Sequence, residues 1–334
     1  MKWNKYLACG AGHMGHTGHR GHAGQRGDQM ASTRREFLAL AGAGMMLGAS
    51  GRLWAQVSTT VGDWQVTSVS DGHLSLPRGF YFDGLPEAEL APILEAQGLM
   101  GDMIASPCNV TLARREGAVV LFDCGAGPAF MESAGELIEA LDVIDVAPQD
   151  VTHVVFTHGH PDHLWGVLDD FDEPVFSEAA HLMGDAEWNY WRDPETVETI
   201  GEARASFAVG AARRLELVEE RITAVADGEE ILPGLVALAS HGHTPGHMSF
   251  VLQGGSEAFL VAGDAIVNGH VALARPSWEL GSDQDPAQGA ATRLRLLDML
   301  VTEEMRLIGY HLPDGGLGRI ERAGEAYRFV AEGA

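Results

Sequence analysis

The sequence predicts an α/β sandwich: two β-sheets packed face to face with helices on the outside. Three observations carry this. Strand-like and helix-like segments alternate in two similar rounds. The apolar strand "VTHVVFTHG" runs straight into a turn dense in histidine. No Pro/Ser-rich linker and no period-length repeat divides the rounds, so both belong to one domain. A length of 334 residues, 46% apolar with 42 Gly, suits such a loop-rich globular chain.

Residues 1–55 read as an export leader. "STRREFLALAGAGMMLGASGRLWAQ" carries paired Arg34 and Arg35, then Phe37-Leu38 and a weakly apolar run to about Gly51. That order is the twin-arginine pattern. The run is ~15 residues, short of the ~20 that span a bilayer, so no stable membrane insertion is expected after cleavage. Cleavage is placed near Ala55, although Leu53 departs from a small-x-small site. Met30 opens "MASTRREF", a normal signal start. Residues 1–29 are then either a mis-assigned start or a His/Gly-rich tail that binds metal loosely. On this reading the export machinery is a partner, and the mature domain, residues 56–334, is periplasmic or secreted.

Along the mature chain, "VGDWQVTSVSDG" and "NVTLARREGAVVLFDCGAG" alternate and end in Gly-rich turns, as strands do. "SAGELIEALDVIDVAPQD" is helical and closes at Pro148. "DAEWNYWRDPETVETIGEARASFAVGAARRLELVEE" has helical spacing and few strand formers, which predicts a helical insertion near 182–220. Short strands with Asp-Gly, Pro-Gly and Gly-Gly turns follow from Ile222. Pro286 opens a helix, and "RLIGYHLP" reads as a last strand. Cys108 and Cys124 flank the first hairpin at equal distance from Glu116, and a three-residue turn would set them face to face. Cross-strand disulfides are geometrically demanding even in an oxidising compartment, so two buried thiols are expected.

Acidic residues number 47 against 22 basic, for a net charge of −25. The two lysines, Lys2 and Lys5, both lie in the leader. Such a surface repels nucleic-acid backbones and anionic lipid. It points to a small neutral or apolar substrate, or one held by a metal. A dimer is compatible with this composition.

The densest chemistry lies in "FTHGHPDHLWG", where His158, His160, Asp162 and His163 fall within six positions. His158 and His160 are two apart at a strand end and project the same way. Pro161 bends the chain so that Asp162 and His163 can converge nearby. Downstream, His247 in "HGHTPGH", Asp264 in "VAGDA" and His311 in "GYHLP" each stand at a strand end or turn. Imidazoles and carboxylates are zinc's usual ligands, and five histidines with two aspartates suffice for two ions. His241 and His243 read as turn or supporting groups, and His181 as a surface residue.

These motifs, "THGHPDH", "HTPGH", "GDA" and a late histidine, resemble the metallo-β-lactamase-fold hydrolases, an αββα sandwich of two mixed sheets. The stretch from "DQDPAQGAATRLRLLDML" onward is similar to the branch containing methyl parathion hydrolase and the N-acyl homoserine lactonases. The resemblance implies that His158, His160 and His247 hold one Zn2+, that Asp162, His163 and His311 hold a second, and that Asp264 bridges them. Other divalent metals are compatible. It implies a hydrolase whose metal-bridging hydroxide attacks a lactone, ester or organophosphate-like substrate, with Asp162 and Asp264 as the catalytic carboxylates. Asp123 would buttress a ligand histidine.

Two departures stand out. Acyl-homoserine lactonases commonly carry a Tyr shortly after the bridging Asp, and "DAIVNGH" has none; Asn268 or His270 is the expected substitute. Trp165, Trp188, Trp191 and Trp278 are expected to wall an apolar cleft. The competing readings are an iron-dependent oxygenase of the same fold, which would keep a mononuclear site, and a non-catalytic periplasmic zinc-binding protein.

Overall fold

The computed structural model describes residues 57–332, so the leader reading on residues 1–55 lies outside them. Within that range two seven-stranded sheets form, each ordered as the chain runs. The first holds β1 (Ser58–Val61), β2 (Trp64–Pro77), β3 (Met103–Arg115), β4 (Ala118–Phe122), β5 (His153–Phe156), β6 (Ala180–Gly184) and β7 (Ile222–Val225). The second holds β8 (Glu230–Leu232), β9 (Leu235–Ala239), β10 (Met248–Gly254), β11 (Glu257–Val261), β12 (Arg306–Ile308), β13 (Leu317–Ala323) and β14 (Ala326–Ala331). Both sheets are mixed. β4 to β7 pair in parallel, as do β11 and β12, and the other neighbours are antiparallel.

Helices lie where the connections need them. α1 (Arg78–Phe82) and α2 (Glu87–Ala96) join β2 to β3, and α3 (Leu137–Val143) crosses from β4 to β5. The one-turn α4 (Pro161–Leu164) follows β5. α5 (Asp185–Arg192), α6 (Thr196–Thr199) and α7 (Ala205–Leu217) separate β6 from β7. α8 (Val271–Ala274) and α9 (Pro286–Thr302) lead from β11 to β12. Parallel pairing demands such crossovers, because the chain must return to the same end of the sheet.

The alternation of side chains along each strand separates three apolar layers. Val120 and Phe122 of β4, Val155 of β5, Phe250 of β10 and Phe259 of β11 meet between the sheets. Leu121, Val154 and Phe156 face the other way, onto Leu141 of α3 and Leu215 of α7. Leu260 and Leu307 of the second sheet pack against Leu296 and Leu297 of α9. A period of two is enough to write both sides of a doubly buried strand.

Several expectations shift. The helical insertion starts after β6, at Asp185, so residues 182–184 belong to a strand. "RLIGYHLP" is not the last strand; β13 and β14 follow it. The first hairpin turns on two residues, Glu116 and Gly117, with Arg115 opposite Ala118 and Thr111 opposite Phe122. That register does not oppose Cys108 to Cys124, and both thiols are free and buried, as the sequence predicts. His181 is buried on the interior strand β6, its ring stacked on Phe156, rather than at the surface.

One buried carboxylate anchors the turn beneath the histidine cluster. Asp71, at an irregularity in β2, accepts hydrogen bonds from Ala126 N at 2.7 Å and Leu137 N at 2.8 Å. Burial pushes its carboxyl up to about 7, against the pull of those N–H groups. Because the folded value is raised, the group withdraws stability as pH climbs from the unfolded value of about 4 through 7. Asp71→Asn turns one acceptor into a donor facing an N–H, and is expected to cost about 1–3 kcal/mol at pH 5. Urea unfolding at pH 5 to 8 should show the gap to wild type narrowing as pH rises.

Candidate metal centre

The histidines and aspartates converge from the strand ends of both sheets. β5 delivers His158 and His160, and α4 turns Asp162 and His163 inward behind Pro161. The β9–β10 loop carries His243, the turn after β11 carries Asp264, and the chain leaving β12 carries His311. All seven side chains are buried.

Hydrogen bonds behind the rings fix which nitrogen faces inward. Thr157 Oγ1 donates to Asp123 Oδ2 at 2.8 Å, so it accepts from His158 Nδ1 at 3.0 Å. Asp123 Oδ2 accepts from His163 Nδ1 at 2.8 Å. Asp283 Oδ1 takes His243 Nδ1 at 3.1 Å, and Pro107 O takes His311 Nδ1 at 2.7 Å. With the proton held on Nδ1, each of these four rings aims a bare Nε2 into the cluster when neutral.

Two groups of donors result. His158 Nε2 and His243 Nε2 each lie 2.9 Å from His160 Nδ1. A single proton on His160 cannot serve both lone pairs, whereas a cation at the centre serves all three nitrogens. Burial lowers the pKa of His158 and His160, which keeps them neutral as ligands must be. The second group is wider. His163 Nε2 stands 3.4 Å from Asp162 Oδ2 and from Asp264 Oδ1, and His311 Nε2 stands 3.4 Å from Asp162 Oδ2 and 3.2 Å from Asp264 Oδ2. Four ligands at about 2.0–2.1 Å from a tetrahedral zinc are spaced about 3.3–3.4 Å apart. Asp162 Oδ2, His163 Nε2 and Asp264 Oδ1 are buried without a hydrogen-bond partner. Asp264 Oδ2 is also 3.3 Å from His243 Nε2, so this carboxylate stands between the two groups.

The electrostatics agree with a site built for cations. Burial opposes a charge on His163 and His311, yet the surrounding carboxylates outweigh it. They raise His163 well above the ordinary imidazole value and His311 to about 10. Those protons occupy positions where a metal would replace them.

The sequence expectation needs one exchange. His247 is not in the triangle: its Nδ1 meets Ser240 Oγ at 2.8 Å and its Nε2 accepts from Asp264 N at 2.9 Å. It supports the Asp264 turn, and His243 occupies the place assigned to it. Both histidines flank the same Thr-Pro-Gly turn, so spacing alone did not separate them. Asp283, Gln284 and Glu187 also escaped notice, because their partners are distant in sequence. Cys108 lies close by: its sulfur and donor atoms of Asp162 and His311 fall within 4.8 Å of one another.

Glu187 of α5 ties the two ligand loops together. Its carboxylate accepts from Gly159 N at 2.8 Å, Gly246 N at 3.0 Å, Thr244 Oγ1 at 2.7 Å and Trp191 Nε1. The glycines are required by proximity. A Cβ on Gly159 would sit 2.4 Å from Trp191 Nε1, and one on Gly246 2.0 Å from Glu187 N.

A cleft opens over the cluster. His160, Asp162, His243, Asp264 and His311 line it, together with Leu74, Leu76, Phe80, Tyr81, Phe130 and Phe207. Its aromatic wall is phenylalanine and tyrosine, and none of the four tryptophans lines it: Trp191 is buried in the core and Trp165 packs on Phe130. Asn268 and His270 face elsewhere, capping the α8 turn.

The model of the metallo-beta-lactamase superfamily matches residues 103–309, more than half of the chain. The chain belongs to that superfamily. Solved metallo-beta-lactamase-fold structures superpose on most of it. One is AidC, a dizinc quorum-quenching lactonase in complex with a product, N-hexanoyl-L-homoserine (TM-score 0.78, 21% identity, 85% of this chain and 99% of that chain). Another is the hydrolase AbOPH (TM-score 0.78, 23% identity, 84% and 99%). At these identities the likeness shows the fold. Metallo-beta-lactamase domain-containing protein 1 of Xenopus laevis is 30% identical over 165 residues, 49% of this chain. The match spans 56% of that relative, little more than half its length. A probable metallo-hydrolase of Mycobacterium tuberculosis is 28% identical over 216 residues, covering 54% of this chain and 64% of the relative.

Glu187→Gln would set an amide NH2 against two N–H or O–H donors. The expected cost is about 2–4 kcal/mol, read by urea unfolding of the metal-free protein.

Proposed function

We propose that this protein is a dinuclear metallohydrolase for small, uncharged, largely apolar lactones, esters or phosphotriesters. The observation that supports it best is a buried cluster of histidines and aspartates, the His158–His160–His243 triangle and the Asp162, His163, Asp264 and His311 contacts beside it, five of whose members line an apolar cleft. His158, His160 and His243 would hold one ion, Asp162, His163 and His311 the other, with Asp264 shared. Zinc fits the imidazole-rich donor set. Two such ions supply a water activated at neutral pH and a positive field for the oxygen that gains charge.

The chain's own residues do the rest. The apolar wall excludes water and holds the acyl or aryl part of the substrate. No described residue lining the cleft is Arg or Lys, which disfavours strongly anionic substrates. Asp162, a member of the second donor group through Oδ2, also lines the cleft, and its other carboxylate oxygen can take the nucleophile's proton and return it to the leaving group. Where lactonases carry a Tyr after the shared Asp, this chain has Val267 in the cleft wall. The phenol comes instead from Tyr81 of α1, whose Oη lies 3.1 Å from Ser106 Oγ, and it would serve as the donor to a substrate carbonyl. The dizinc lactonase AidC, alike in fold, makes lactones the first substrates to try. The second donor group weighs against a mononuclear iron oxygenase, and the cleft weighs against simple metal storage.

Proton release by the zinc-loaded protein on acyl-lactones, aryl esters and phosphotriesters, with His158→Ala as the blank, tests this reading. Metal-dependent turnover of one class is expected, and none on any class would overturn it. Asp264→Ala is expected to lose one zinc equivalent and more than about 100-fold in kcat/KM. Full activity with both metals retained would remove its shared role. His247→Gln, by contrast, should keep both zinc equivalents, as counted by atomic absorption.

A further inference from the structure

The loop "GSDQDP" before α9 carries two consecutive side chains that reach the backs of two rings in the same donor triangle. Asp283 Oδ1 is 3.1 Å from His243 Nδ1. Gln284 Oε1 accepts from Tyr190 Oη at 2.6 Å, and the Gln284 amide nitrogen lies 3.2 Å from His160 Nε2. We infer that Asp283 and Gln284 are a positioning pair that sets the tautomer and angle of His243 and His160 toward one ion. This rests on the proposal that the triangle holds a metal.

The pair is held from behind. Arg293, fully buried on α9, reaches Asp283 Oδ2 at 3.3 Å. The same guanidinium donates to Pro276 O at 3.0 Å and Trp278 O at 2.5 Å, so it cannot drift. The backbone of the loop grips the histidine loop directly. Gln284 N donates to His243 O at 3.0 Å, and Asp285 N donates to Gly242 O at 2.9 Å. Asp285 in turn caps α9 through Gln288 N at 3.0 Å. Movement of this loop therefore moves both rings together.

The two grips differ because the rings differ. His243 presents Nε2, so its Nδ1–H needs an acceptor, and a carboxylate paired with arginine offers nothing else. His160 presents Nδ1, so in the loaded site its Nε2 carries the proton. Gln284 then turns its amide oxygen to that N–H and its NH2 to Tyr190 Oη. An amide can serve either tautomer, so no buried group is stranded whichever His160 nitrogen carries the proton.

The test is zinc affinity measured by competition with a chromophoric chelator, joined to the cobalt(II) absorption spectrum. Wild type is expected to bind two equivalents; none would sink the metal reading itself, separately from this inference. Gln284 is half-buried, so Gln284→Met is expected to leave the core folded, as near-UV circular dichroism of the metal-free variant checks. It should weaken one zinc equivalent about 10–100-fold and change part of the cobalt spectrum. Gln284→Glu, which keeps an acceptor, should restore both. Asp283→Asn should weaken the same equivalent, and is paired with Arg293→Met so that no buried charge is left unmatched. Unchanged zinc affinity in Gln284→Met, with only its metal-free melting temperature moved, would overturn the inference.

Discussion

Gathering five imidazoles and two carboxylates in one buried cluster is costly, and the structure depends on how that cost is met. Each ring is gripped from behind, and the loops carrying the rings are gripped in turn. Glu187 is where those grips meet. It holds no donor position itself, yet Gly159, between His158 and His160, and Thr244 and Gly246, just after His243, all donate to its carboxylate. Burial pushes that carboxyl up, and the four donors work against the push. A buried acceptor so fully satisfied specifies geometry more than it adds stability.

Other grips use the same chemistry at different depths. Asp123 takes an unusual backbone conformation, φ 69°, and from there reaches Thr157 N, Thr157 Oγ1 and His163 Nδ1. The strain of a non-glycine residue in that region persists because several hydrogen bonds over-determine it. Asp71 secures the segment that follows Asp123, through Ala126 N. The aspartates thus form tiers: some can reach an ion, some hold the rings, and one holds the turn beneath.

Much of this was legible in the sequence, and the parts that were not share a reason. The apolar runs "AVVLF" and "HVVF" declared buried strands, and "HGHPDH" declared the cluster, because both signals are local. The choice between His243 and His247 was not local. It depends on Ser240 and Asp264 N occupying one ring and Asp283 orienting the other, and the last of these lies 40 residues away. The hairpin register failed for a smaller cause: a two-residue turn at Glu116-Gly117 looks much like a three-residue one until the pairing is known. The tryptophans were misplaced because an indole signals burial without saying which side of a sheet it is buried on. Trp191 went inward to meet Glu187, and phenylalanines from α7 and the β4–α3 loop, Phe207 and Phe130, took the cleft.

The origin of the donors has a mechanical consequence. His158, His160, Asp162 and His163 hang from the first sheet, while His243, Asp264 and His311 hang from the second. Neither half of the sandwich owns a complete set. Ions bound there would act as rivets across the seam, added to the hydrogen bonds that already cross it, such as Met248 N to Thr157 O at 2.9 Å and Tyr310 Oη to Asp162 O at 2.5 Å. Anything that binds only the assembled state stabilises it by mass action, so the seam would tighten or loosen with the free metal concentration around it. Stripping the ions would then remove a structural fastening along with the chemistry.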